Sequence, residues 1–163
     1  MSDETGSGPI LNVVLVRPRI AANTGAIGRT CVAAGAKLWL VRPLGFHLDD
    51  RHRRRAGLDY WEHLDRAIVD DLDAIDREFG PGRLWLFETG PGPLYSDVRY
   101  VAGDALVFGS EDQGLPPSWL ASHADRVVRI PTRPEARSLN LANSVAIGLY
   151  EALRQIGFPQ PPG

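Results

Sequence analysis

The chain has 163 residues, enough for one domain with its own core. An apolar content of 44%, a charged content of 23% and a net charge of −2 are ordinary for a soluble globular protein and argue against a generally basic nucleic-acid coat. Cys31 is the only cysteine, which excludes an intrachain disulfide and a cysteine-based metal cage and fits a reduced, cytoplasmic setting. No apolar run approaches the ~20 residues of a membrane span, so no membrane partner is expected. Residues 1–9 lack an apolar signal core and read as a disordered tail.

Asn12 to Arg17 (NVVLVR) is a continuous β-branched run stopped by Pro18, the pattern of a buried strand. In the following IAANTGAIGRTCVAAGA, Asn23 or Thr24 can cap a helix whose apolar face includes Ile27 and Val32 and which ends near Gly35. Lys37 to Val41 (KLWLV) is a second buried strand. Strand, helix and strand in close succession form a βαβ unit, which points to a parallel sheet.

Residues 42–66 carry few periodic apolar positions. They hold a Pro-Leu-Gly turn, the cluster Arg51, His52, Arg53, Arg54 and Arg55, and then Gly57 to Trp61. Such an irregular stretch usually has a job. The arginines read either as a solvated charge run or as a patch that grips phosphates. Ala67 to Val69 reads as a short strand, and Leu72, Ile75 and Phe79 mark one face of a helix begun near Asp71 and ended by Gly80. Arg83 to Glu88 and Ala105 to Phe108 are further strands, Trp119 and Leu120 sit on a short helix, and Val127 to Ile130 is the last strand.

The closing stretch, Ile130 to Gly157, passes through a polar turn into a long helix with Leu141, Val145, Leu149, Leu153 and Ile156 at helical spacing. Arg137, Ser138, Asn140 and Asn143 crowd its entry. That is either a capped core helix or a helix N-terminus equipped to hold a polar ligand. The whole reads as one α/β domain over residues 10–158, with a short tail at 159–163.

Three loops follow the carboxyl ends of strands: Thr89–Pro93, Gly109–Gly114 and Pro131–Asn140. In open α/β sheets that edge is where ligands bind. Neither a G-x-x-x-x-G-K-[ST] loop nor a G-x-G-x-x-G fingerprint is present, so ATPase and ordinary dinucleotide readings fail. His47, His52, His63 and His123 show no metal spacing, and Ser110 in FGSEDQG does not complete a G-x-S-x-G elbow. No metal is expected.

Asn23-Thr-Gly25 with Arg29, Phe108-Gly-Ser-Glu111 with Gly114, and Ile130-Pro131 with Ser138-Leu-Asn140 resemble the three sequence motifs of the SPOUT RNA methyltransferases. RRRAGLDYW at 53–61 and SLNLANSVAIGLYEA at 138–152 resemble its TrmL branch, the tRNA wobble-position 2′-O-methyltransferases. The likeness runs from Asn12 to Phe158. It implies an α/β fold with a mostly parallel sheet, helices on both faces and a C-terminal segment threaded into a deep trefoil knot. It also implies S-adenosylmethionine as cofactor, a homodimer, and the anticodon stem-loop of tRNA as partner. The target it implies is a wobble cytidine or 5-carboxymethylaminomethyluridine in leucine tRNAs.

Carried over position by position, the resemblance makes Phe87, Gly109, Ile130 and Ser138 cofactor contacts, with the glycine letting backbone approach the adenosine. Arg29 would hold the target phosphate and stabilise the forming 2′-alkoxide. Asn23 would fix its loop, Glu111 would orient Arg29 or the sulfonium, and Ser138 and Asn140 would place cofactor and ribose. Arg53, Arg54, Arg55, Tyr60 and Trp61 would contact RNA, with core packing the equal alternative for the two aromatic residues. Two positions depart from the branch: Glu88 replaces a small polar residue, and Gly148 an aliphatic one. Close helix approach at a dimer interface would offset the ~1 kcal/mol that a helical glycine costs. The competing class is a catalytically silent RNA-binding dimer; a target in ribosomal RNA or elsewhere in tRNA would keep the chemistry.

Overall fold

The computed structural model describes residues 8–48 and 59–160. The cluster Arg51–Arg55, with the RNA contacts expected of Arg53, Arg54 and Arg55, lies outside them. Six strands form one sheet: β1 (Asn12–Val16), β2 (Lys37–Val41), β3 (Arg66–Val69), β4 (Leu84–Phe87), β5 (Ala105–Phe108) and β6 (Val127–Val128). Their order is β3-β2-β1-β5-β4-β6, with parallel pairing throughout. Among the described residues four α-helices join them: α1 (Ala21–Ala34), α2 (Leu72–Phe79), α3 (Pro117–Ser122) and α4 (Leu141–Ile156).

Side chains alternate across a strand, and the two faces of the sheet therefore own separate cores. Val13 and Leu15 join Ile27 and Cys31 of α1 and Val145, Leu149 and Leu153 of α4 on one side. Val14 and Val16 join Ile75 of α2 and Trp119 of α3 on the other. This double burial is why β1 reads as an unbroken apolar run. Asp104, 1% exposed, accepts from Trp85 Nε1 at 3.2 Å and Val101 N at 2.9 Å and pairs with Arg83 at 3.3 Å.

Most expected elements form within a residue or two of their predicted ends, and the differences have local causes. Asp71 caps α2 by accepting from Ala74 N at 3.0 Å. α1 starts earlier than expected, at Ala21 after Ile20, so neither Asn23 nor Thr24 caps it. Its entry is held instead by Glu111, whose carboxylate accepts from Arg19 N at 2.8 Å and Ile20 N at 3.1 Å. β6 is only Val127–Val128. Beyond it Arg129 makes a single bridge with Leu94, leaving Ile130 free to face a cavity.

Packing decides two further expectations. Trp61, expected to stack on RNA or to pack, is 2% exposed and belongs to the core. Its ring presses on α1 where Gly28 lacks a side chain; a Cβ there would lie 3.0 Å from Trp61 Cζ3. Gly148 does not answer to a dimer interface. It is buried in α4 over β4, and a Cβ there would lie 2.8 Å from two atoms of the Phe87 ring. The glycine makes room for the phenylalanine.

Candidate cofactor and substrate site

β1 connects to β2 on one side of the sheet, whereas β5 leads to β6 on the other, so the crevice between β1 and β5 is a topological switch point. A cavity of about 560 Å³ opens at this edge. All three expected loops line it, together with Ile20 and Asn23 at the start of α1 and Asn140, Leu141 and Ser144 at the start of α4. The sheet explains the convergence: in parallel strands with Phe87 beside Phe108, every carboxyl end delivers its loop to one side.

The four residues expected at the cofactor, Phe87, Gly109, Ile130 and Ser138, all line the cavity. Phe87 stacks on Phe108 with ring centroids 4.6 Å apart. Gly109 is also required by the fold itself. A Cβ there would sit 2.1 Å from the carbonyl carbon of Gly114, so glycine is needed for the loop to fold back on itself. Gly114 N closes that turn by donating to Ser110 O at 3.0 Å.

Asn23, Glu111 and Asn140 form a continuous hydrogen-bonded chain. Asn140 Nδ2 donates to Asn23 Oδ1 at 3.1 Å, and Asn23 Nδ2 donates to Glu111 Oε1 at 3.3 Å. Asn140 also caps α4 by accepting from Asn143 N at 3.2 Å. Glu111 therefore braces the entry of α1, where a carboxylate complements the helix dipole; among the described residues it accepts from Arg19, Ile20 and Asn23 and not from Arg29.

Arg29 lies elsewhere. It is exposed on α1 and does not line the cavity formed by its own chain. Its neighbour is Tyr60, whose hydroxyl donates to Gly25 O. Burial pushes that hydroxyl above its ordinary range, and the Arg29 guanidinium pulls against it. Tyr60 thus anchors the turn at Asp59–His63 to α1, next to the arginine.

Glu88 is a lining residue whose role the motifs do not disclose. Its carboxylate accepts from Leu115 N at 2.9 Å and Thr89 N at 3.1 Å, tying the loop after β4 to the loop after β5. Only the replacement of a small polar residue by a carboxylate flagged this position. Together Glu88, Glu111 and Asp112 place three carboxylates around the cavity, and among the described residues no lysine, arginine or histidine lines it. Such a wall favours a cationic ligand, and the apolar rings beside it suit a flat heterocycle. Among the described residues no cluster of histidine, cysteine, aspartate and glutamate is placed to hold a metal.

Fold and site define a parallel α/β protein with a cation-tolerant ligand crevice at its switch point. Residues 10–150 match the SpoU rRNA Methylase family, and the chain belongs to it. A tRNA (cytidine(34)-2′-O)-methyltransferase of Burkholderia cenocepacia is 45% identical over 152 residues, covering 91% of this chain and 97% of that protein. A solved structure described as "Structural insights into the 2-OH methylation of C/U34 on tRNA" superposes with a TM-score of 0.83 at 40% identity, covering 90% and 96% of the two chains. An AdoMet-bound rRNA methyltransferase from Sinorhizobium meliloti gives a TM-score of 0.77 at 31% identity, covering 88% of this chain and 56% of that one.

Proposed function

We propose that this protein uses S-adenosylmethionine to methylate the ribose 2′-hydroxyl of the wobble nucleotide of tRNA, cytidine or a modified uridine, in leucine tRNAs. The observation that carries this reading is the cavity. The four cofactor residues that the resemblance implies all line it, and its carboxylates suit a ligand bearing a sulfonium and an ammonium. The relatives' naming for cytidine 34 and for C/U34 supplies the target nucleotide.

S-adenosylmethionine, when bound, supplies an electrophilic methyl group. Phe87 and Ile130 give apolar cover, the turn at Gly109–Gly114 presents backbone, and Ser138 and Asn140 hydrogen-bond cofactor and ribose. Asn23 and Glu111 hold Asn140 in place through the chain of bonds described above. The remaining task is positioning the ribose oxygen, where orientation contributes most of the acceleration. Arg29 holds the target phosphate and stabilises the developing alkoxide, while phosphate or water takes the proton, because guanidinium stays protonated with a pKa above ~12.

Since Arg29 is outside the cavity of its own chain, this role calls for two chains paired so that α1 of one approaches the cavity of the other. The exposed Ile147 and Tyr150 on α4, with the exposed Phe158 ring tilted beside Tyr150 at 6.3 Å between centroids, support such pairing. A C-terminal trefoil knot and a cytoplasmic location belong to the same reading.

The test is to incubate the protein with S-adenosylmethionine and unmodified leucine tRNA, digest the RNA and map methylated nucleosides by mass spectrometry. A 2′-O-methyl group at nucleotide 34, lost in Arg29→Ala, is expected. Methylation confined to ribosomal RNA or to another tRNA position would overturn the target. Cofactor binding by calorimetry without any methyl transfer would favour the silent RNA-binding dimer.

A further inference from the structure

A second concavity of about 460 Å³ adjoins the first. Arg17, Arg19 and the Pro43–Gly45 loop line it, and Ser110 and Gln113 line both cavities. The two are opposite in charge. Among the described residues three carboxylates and no cation surround the first, whereas two guanidinium groups and no carboxylate line the second. Among the described residues neither guanidinium has an ion pair or hydrogen-bond partner.

The backbone beneath these side chains is firmly held. Arg17 has φ of 54°, uncommon for a residue with a Cβ and more so before proline, and its N–H donates to Val41 O at 2.9 Å. Arg19 N donates to Glu111 Oε2 at 2.8 Å. Gly45 N donates to Pro18 O at 2.9 Å, and a Cβ on Gly45 would lie 2.7 Å from Arg19 Cα. Both arginines thus stand on a loop pinned between the ends of β2 and β5. Planar guanidinium forks on a fixed base suit an oxyanion such as phosphate.

We propose that Arg17 and Arg19 form a binding site for a backbone phosphodiester of the RNA strand, next to the nucleotide presented to the cofactor cavity. The inference rests on the RNA-methylating function proposed above. The wall shared by the two cavities is one loop, Ser110 to Gln113, so a strand whose ribose enters one can lay a neighbouring phosphate in the other. A rival ligand for these arginines is the carboxylate of the cofactor's own amino-acid end.

The test compares full-length wild type, Arg17→Ala/Arg19→Ala, Arg19→Gln, and Arg77→Ala on the exposed α2 as a charge control. Leucine tRNA binding is followed by anisotropy over a salt series, and S-adenosylmethionine binding by calorimetry. The double variant is expected to weaken tRNA binding on the order of tenfold and to flatten the plot of log K against log salt by about 0.7 per arginine, as for single-stranded contacts. Arg19→Gln should show about half that flattening, with cofactor affinity unchanged in both. An RNA slope equal to that of Arg77→Ala would overturn the proposal, as would a loss confined to cofactor affinity, which would assign the arginines to the cofactor carboxylate. Wild type that neither binds nor methylates tRNA would instead refute the proposed function.

Discussion

Alanine at position 148 sets two effects of opposite sign against each other. On helix propensity alone Gly148→Ala should stabilise α4 by about 1 kcal/mol. The new Cβ, however, would lie 2.8 Å from Cε1 and Cζ of Phe87 and 3.5 Å from Leu106 Cδ2. Phe87 is 6% exposed and stacked on Phe108 at an interplanar angle of 25°, so its ring cannot retreat into the core. The open direction is the cavity that the ring already lines. Overpacking of this kind costs roughly 1–3 kcal/mol, leaving a net destabilisation between nil and about 2 kcal/mol. A ring pushed into the site should weaken S-adenosylmethionine binding by about tenfold, or ~1.4 kcal/mol. Urea unfolding and calorimetric titration measure the two quantities. Phe87→Leu in the same chain should relieve the clash, giving a coupling energy of about 1 kcal/mol or more in a double-mutant cycle. A Gly148→Ala protein that is ~1 kcal/mol more stable, with unchanged cofactor affinity, would refute the packing argument.

Glu88→Gln leaves one acceptor oxygen for two backbone donors, so a stability loss of about 1 kcal/mol and several-fold weaker cofactor binding are expected by thermal melting and calorimetry. Gly109→Ala places a methyl 2.1 Å from backbone that cannot yield; cofactor binding should be lost, and a crystal structure of the variant should show the Ser110–Gly114 turn opened. Burial pushes the Cys31 thiol from an ordinary 9.0 up to about 12. The neutral thiol therefore favours the fold fully below pH 9, and that contribution is lost as pH rises towards 12, by at most about 4 kcal/mol. Denaturation of Cys31→Ala as a function of pH should show a shallower alkaline decline than wild type, and parallel curves would contradict it.

Elements whose signals are local were legible in the chain. β2 and β5 occupy the expected residues because each is a short apolar run with polar or glycine neighbours. α2 carries its own start and stop in Asp71 and Gly80. The start of α1 was not legible, since the carboxylate that holds it comes from Glu111, 91 residues from Ile20. Nor could composition decide whether Trp61 stacks on a ligand or fills the core; that depends on the missing side chain at Gly28.

The ligand cavity was foreshadowed by three glycine- or proline-bearing loops after strands, because parallel strands send all such loops to one edge. Arg17 and Arg19 are not legible as a site, because their significance lies in a neighbouring loop, 43–45, and in the absence of acidic partners among the described residues. R-P-R directly after the first strand was the available signal. Glu88 was visible as a departure, but the N–H groups it satisfies become neighbours only when β4 and β5 align.

Asn140 serves two masters: it seals the front of α4 and grips Asn23, which in turn grips Glu111. Fraying of the last helix is thereby felt at the opening of the first, so amide exchange in both should rise together on local opening. In a lineage of such chains these three positions would drift as a set, since altering Asn23, the middle link, parts the two helix entries, and altering either end leaves Asn23 with one bond fewer.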